Sequence, residues 1–192
     1  MFFISDIQTD KPSKFETALQ EKVYATLMKL HIPFERVDTD EAITMEDCTA
    51  IEEKLDMKMV KTLLLCNRQQ TMFYLFITCG NKPFRSKECS AALGVPRLSF
   101  APAEKMRELL GTEIGAATVF SALLDSAKDV QLVIDKAVLK EESFGCSDGT
   151  TRVYENQNRR HTANPSAFYK THGTVCGGVK RWSCIKTVSL SK

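Results

Sequence analysis

Apolar positions along the chain change their spacing several times, and each change marks an element. From Phe15, the residues Leu19, Val23, Leu27 and Leu30 recur every three or four positions, which predicts an amphipathic helix. Ser13-Lys-Phe-Glu16 has the spacing of a capping box at its start, and His31-Ile-Pro33 stops it. Phe34–Asp38 alternates as a short strand. Thr44–Asp47 is a second capping signal, ahead of a short helix carrying Ile51 and Leu55. The densest apolar stretch is central. Met59–Cys66 and Thr71–Cys79 flank the polar turn Asn67–Gln70, and runs this short predict the paired strands of a hairpin. Both runs are apolar almost throughout, so both faces of their sheet should be covered.

Downstream, Ser86–Leu93 reads as a helix closed by Gly94, and Arg97–Phe100 as a short strand. Pro102–Leu110 reads as a helix ended by Gly111. Gly115–Phe120 is a loop of mostly small residues, Val130–Ile134 a buried strand, and Gly145–Gly149 a turn. Helices and strands alternate irregularly about the hairpin. That predicts an α/β (α+β) fold with a mixed sheet and packed helices.

Composition adds one asymmetry. The chain has 192 residues and a formal charge of +2. Residues 152–192 hold eight Lys/Arg and one acid, a balance of +7, while the first 151 residues hold 18 against 23, a balance of −5. The acidic body offers no bulk field for nucleic acid, so any RNA contact must rest on a local patch. Seven cysteines without Cys-x-x-Cys spacing argue for a reducing compartment rather than a disulfide framework. With no secretory signal and no apolar run of membrane-span length, the expected location is cytoplasmic, away from membranes.

Few residues carry candidate chemistry. Lys61 is the one charge within the first apolar run. A lysine in a buried strand either snorkels from the strand end or points into a cleft. Lys82, Arg85 and Lys87 cluster near a helix start, as a solvated face or as a phosphate contact. Gly115, Ala116, Ala117 and Thr118 form either a tight turn or a set of backbone amides for an oxyanion. There is no glycine-rich phosphate loop, and His31 is the single histidine before residue 152. His161, His172, Cys176 and Cys184 are too irregularly spaced for a metal site. No metal and no cofactor is expected.

Together these segments resemble the YbaK/ProX superfamily of freestanding aminoacyl-tRNA editing domains, from about Val23 to Thr151. The similarity lies in Leu30–Val37, Ala42–Glu46, Val60–Leu65 and Leu110–Phe120. Its most specific part is Ser86–Glu88 with Ala92–Val95 and Arg97–Ala101. The resemblance implies an α/β fold with a mixed, curled sheet. It implies metal-free hydrolysis of the ester of a small amino acid mischarged onto tRNA, as in alanyl- or cysteinyl-tRNA for proline. Mischarged tRNA is then the expected partner, with prolyl-tRNA synthetase as a second. Lys61 falls where the family has its functional lysine. The expected pocket lies between Thr44–Met45, Lys61 and Gly115–Phe120, where Met45 and Phe120 leave room for a small side chain only. Two positions depart from the family. Val119 stands where proline is common, and Ser147 stands in a turn that often carries His-Pro. These departures support the alternative of a catalytically weak or inactive module that binds charged tRNA or an amino acid.

Residues 1–151 are therefore expected to form the editing domain. Residues 152–192 form an atypical basic tail that holds Trp182 and lacks the expected closing strand and helix. A frameshifted ending accounts for this: with suitable synonymous codons, the next reading frame from Arg152 encodes a strand-and-helix pattern.

Overall fold

The structure, a computed structural model, describes residues 2–41, 45–149, 152–157 and 186–188. Four helices are seen among them: α1 (Ala18–Lys29), α2 (Met45–Lys54), α3 (Ser86–Leu93) and α4 (Ala103–Leu110). The strands are β1 (Phe34–Asp38), β2 (Val60–Asn67), β3 (Phe73–Cys79), β4 (Leu98–Phe100), β5 (Gln131–Asp135), β6 (Ser143–Ser147), β7 (Arg152–Gln157) and β8 (Lys186–Val188). They form a five-stranded sheet of order β4-β2-β3-β5-β8 and a three-stranded sheet of order β1-β7-β6.

The predicted hairpin is the centre of the larger sheet. β2 and β3 pair antiparallel, with Leu64 opposite Leu75. Asn67 builds the turn: its side-chain oxygen accepts from the amides of Thr71 at 2.9 Å and Met72 at 3.1 Å. β3 then pairs parallel with β5, which makes the sheet mixed. Both faces are covered, as continuous apolar runs require. On one face, Leu64, Cys66, Leu75, Ile77, Leu132 and Ile134 pack with the smaller sheet and with Val23 and Leu27 of α1. On the other, Leu65, Phe76 and Val133 pack against Cys89 and Leu93 of α3. α3 and α4 end on Gly94 (φ 65°) and Gly111 (φ 63°), as their patterns predict.

Three sequence readings change. Helix α1 starts at Ala18, not beside Ser13, because Thr17 caps it by accepting from the Gln20 amide at 3.2 Å. The stretch expected as a turn at Gly145–Gly149 is strand as far as Ser147. Gly145 marks a close approach rather than a bend, since a Cβ there would lie 2.1 Å from Met57 Sδ. The third change is β7, which starts at the first residue of the stretch read as strandless tail. Its side chains explain it. Val153 and Tyr154 are buried, and the Arg152 guanidinium donates to Asp38 of β1. Residues 158–185 and 189–192, including Trp182 and the irregular His/Cys set, lie outside the described residues.

Candidate active site

Lys61 is half-buried in β2, directly opposite Thr78 of β3. Side chains alternate along a strand, so Lys61 shares the α3 face with Leu63 and Leu65. Among the described residues, no carboxylate pairs with its ammonium. It donates to the backbone carbonyl of Lys82 at 2.5 Å, in the loop between β3 and α3. Lys82 is turned inward: its ammonium lies 2.7 Å from Asp135 Oδ2 at the end of β5. Asp135, only 1% exposed, also accepts from Thr78 Oγ1 at 3.0 Å and from the Ala137 amide at 3.0 Å. Three strand ends and one loop thus converge on two lysines.

A second group gathers on the smaller sheet. Gly115 has φ 94°, which an L side chain rarely adopts. Ala116 donates its amide to the Glu113 carbonyl at 3.2 Å, so it closes a turn and is not free for an oxyanion. Among the described residues, no acceptor is seen for the amides of Gly115 and Ala117. Thr118 is buried; its hydroxyl donates to the Ser147 carbonyl and accepts from the Phe120 amide at 3.2 Å. Val119 and Phe120 are core residues, and the Phe120 ring stands edge-on to Tyr154 at 5.8 Å.

The fold brings Thr118 and Ser147 together directly. Lys61 is tied to them only through the backbone: Met59, two residues before it, bridges Gly145 in parallel, while the Lys61 side chain stands on the α3 face, opposite the face that packs on the smaller sheet. Met45 opens α2, while Thr44 lies outside the described residues. The expected basic cluster divides. Arg85 and Lys87 are exposed at the start of α3, with Arg85 3.3 Å from Glu88. Lys82 is withdrawn from the surface, because the buried Asp135 carboxylate needs a counter-charge.

Behind Ser147 lies a buried ionic group. Asp148 accepts from Gln20 Nε2 at 3.3 Å, and Arg152 Nη1 stands 3.9 Å from its other oxygen. Burial pushes the Asp148 carboxyl up to about 6, against the pull of Arg152, Tyr154 and Gln20. Arg152 is shared with Asp38, which also holds the buried Arg36 at 2.9 Å. Beside the Lys61 strand, burial and then Asp135 raise the Cys79 thiol above its ordinary value. A cavity of about 210 Å³ opens there, lined by Met59, Val60, Cys79, Gly80 and Phe144 among others. No group of three His, Cys, Asp or Glu suited to a metal occurs among the described residues. None of the helices there is long and apolar enough to cross a membrane.

The model of the aminoacyl-tRNA editing domain matches residues 39–156, more than half of the chain. The chain belongs to this family. Editing an aminoacyl-tRNA is hydrolysis of its ester, so the family's activity is that of an aminoacyl-tRNA deacylase. The match ends within β7, at residue 156, and so takes in strand beyond Thr151. Among curated proteins, the chain is 28% identical over 155 residues to the prolyl-tRNA editing protein ProX of Acetoanaerobium sticklandii, covering 78% of this chain and 94% of the relative. Among solved structures, a candidate trans-editing enzyme for prolyl tRNA synthetase aligns with a TM-score of 0.60 at 17% identity, over 93% of this chain and 99% of that one. A hypothetical protein aligns with a TM-score of 0.64 at 16% identity, over 89% and 99%. At these identities the structures speak for the fold alone, and it is the fold of an editing domain.

Sequence reasoning missed Asp135 and Asp148. Asp135 had a signal of the same kind as Lys61, a charge at the end of an apolar run. Asp148 had none, because its partners Gln20 and Arg152 come from elements remote in the chain or read as tail.

Proposed function

We propose that this chain is a trans-editing deacylase that hydrolyses a small amino acid from mischarged tRNA, with alanyl- or cysteinyl-tRNA for proline as substrate. The observation that carries the reading is the Lys61 ammonium, kept at the end of an apolar strand and held by a carbonyl rather than a carboxylate. An ammonium has three donors, and a carbonyl partner leaves its positive charge uncompensated. Such a group can hold the terminal ribose-phosphate or the ester carbonyl, while amides of the Gly115–Thr118 loop supply donors to the developing oxyanion. The nucleophile is water or the neighbouring ribose hydroxyl, and positioning carries the rate. Editing of this kind answers a limit of the synthetase, whose pocket rejects a smaller side chain by only about 1–3 kcal/mol per methylene.

Deacylation across a panel of mischarged tRNAs tests the reading. Alanyl, seryl or cysteinyl esters should be cleaved and correctly charged prolyl-tRNA spared. Equal turnover of prolyl-tRNA rejects it, because a size sieve must exclude the larger residue.

A second reading, a module that binds charged tRNA or an amino acid with little turnover, is favoured by one feature. The Ala116 amide and the Thr118 hydroxyl are both engaged within the protein, which reduces the donors left for an oxyanion. Tight binding of every charged tRNA in the panel without ester loss would decide for it.

A further inference from the structure

The fold uses a buried ion pair to place the Lys61 ammonium. Among the described residues, Lys61 Nζ reaches one protein acceptor, the Lys82 carbonyl at 2.5 Å. That carbonyl belongs to a loop, and loops hold position only as well as their anchors do. The anchor is the Lys82 side chain, which returns to the sheet and meets Asp135 Oδ2 at 2.7 Å. Lys82 is 12% exposed and Asp135 1%, so the pair is nearly dry. Asp135 is itself fixed from two sides, by the Thr78 hydroxyl and the Ala137 amide, each at 3.0 Å. Thr78 is also the cross-strand partner of Lys61. The chain of contacts therefore closes: β2 to loop, loop to β5, β5 to β3, and β3 back to β2.

We infer that Asp135 is a positioning residue for the Lys61 ammonium, acting through the Lys82 side chain and carbonyl. This rests on Lys61 being the working group of the site. A carboxylate touching Lys61 directly would neutralise it. A carbonyl orients it and leaves its charge and two of its N–H donors for the substrate. Asp135 takes up the charge of Lys82 instead, which fixes the loop without lowering the positive potential at Lys61. Losing this anchor frees the carbonyl and lets the ammonium leave its orientation. An error of about 1 Å at a positioned group can cost about 10²-fold in rate.

The test compares wild type, Asp135→Asn, Lys82→Gln and the double variant in the full chain. The double variant matters because it replaces the ion pair by two neutral amides and leaves no orphaned buried charge, so it folds even where a single variant does not. Two quantities are read: steady-state deacylation of alanyl-tRNA for proline, which gives kcat and KM, and the rate at which Lys61 is methylated by formaldehyde and cyanoborohydride, followed by mass spectrometry. In the double variant we expect kcat to fall about tenfold or more with KM within about twofold. Lys61 methylation should rise about threefold or more as the ammonium leaves its carbonyl. A fall in kcat with unchanged Lys61 methylation marks a general structural defect and overturns the inference. So does a folded double variant in which both quantities match wild type. If methylation rises while kcat holds, the positioning of Lys61 stands and the functional reading of Lys61 fails, which Lys61→Ala at wild-type turnover would show independently.

Discussion

The hydroxyl of Thr118 donates to the main-chain carbonyl of Ser147. One bond thus joins the loop after α4 to the last residue of β6. The same hydroxyl accepts from the Phe120 amide at 3.2 Å, capping the turn of 3-10 helix at Val119–Leu123. Thr118→Val should therefore remove a buried bond and a cap at once, at a cost of about 1–3 kcal/mol. Thr118→Ser keeps the hydroxyl and should recover most of it. Urea unfolding checks both, and a valine variant as stable as the serine one would sever this link between loop and strand.

Asp148 makes stability depend on pH with a sign opposite to that of a surface ion pair. Its neighbours are Gln20 of α1, Arg152 and Tyr154 of β7, and Asp38 of β1. Burial dominates, so its carboxyl loses its proton at about 6 in the fold against an ordinary value of 3.8. Below about pH 4 both states hold the proton and the group's full contribution is present. Between about 4 and 6 the unfolded chain loses the proton first, and stability falls with rising pH. Above about 6 the loss is complete, at about 3 kcal/mol. Asp148→Asn should remove this slope, so the variant gains on wild type as pH rises from 4 to 6. Unfolding free energies at four pH values give the difference directly. A difference that stays constant would mean that Arg152 keeps Asp148 ionised throughout.

Gly80 governs where the Lys82 loop departs from the sheet. Its amide donates to the Met59 carbonyl at 3.0 Å, and a Cβ would sit 2.8 Å from that same oxygen. Backbone cannot swing aside as a side-chain end can, so Gly80→Ala should separate the ends of β2 and β3 and cost about 1–3 kcal/mol. Because the displaced loop carries the carbonyl that holds Lys61, deacylation should fall as well. An alanine variant with unchanged unfolding midpoint and rate would show that the β2–β3 ends adjust freely.

The core was legible from pattern, because hydrophobic spacing reports local geometry. The hairpin, α3 and α4 follow from the runs around Leu64 and Phe76 and from Gly94 and Gly111. Lys61 stood out for the same reason, as a charge where the pattern has none. What pattern could not show is what distant charges do with one another. Lys82 reads as part of a surface cluster with Arg85 and Lys87 until Asp135, 53 residues away in sequence, turns it inward. Arg152 reads as the first residue of a basic tail until Asp38, 114 residues away, draws it into a sheet. In both cases a single long-range ion pair decides whether a cation belongs to the surface or to the core.

Arg85 and Lys87 are the remaining exposed cations of that cluster, at the start of α3. If they meet tRNA phosphates, each should release about one counterion on binding. The double variant Arg85→Ala/Lys87→Ala should weaken tRNA binding and reduce the slope of log affinity against log salt by about 1–2, with kcat near wild type. Binding titrations at several salt concentrations measure this. An unchanged slope would place the tRNA elsewhere.

Lys61 should carry the activity. It is the one charged residue of β2, and the protein spends a backbone carbonyl on holding it at the strand end. The site has no imidazole among its described residues, so general-base help is scarce and a fixed positive charge matters correspondingly more. Removing one preorganised donor typically costs about 10²–10³ in rate, so Lys61→Ala should nearly abolish deacylation. Stability should change little or even improve, because a half-buried ammonium with one protein partner among the described residues is poorly solvated. Lys61→Arg keeps the charge but replaces a compact ammonium by a planar fork that cannot enter the Lys82 carbonyl in the same orientation, so it should restore only a small part of the rate. Single-turnover deacylation, with folding checked by circular dichroism, separates these outcomes. A folded Lys61→Ala protein that cleaved its best substrate at the wild-type rate would move the chemistry to the Thr118–Ser147 side of the site.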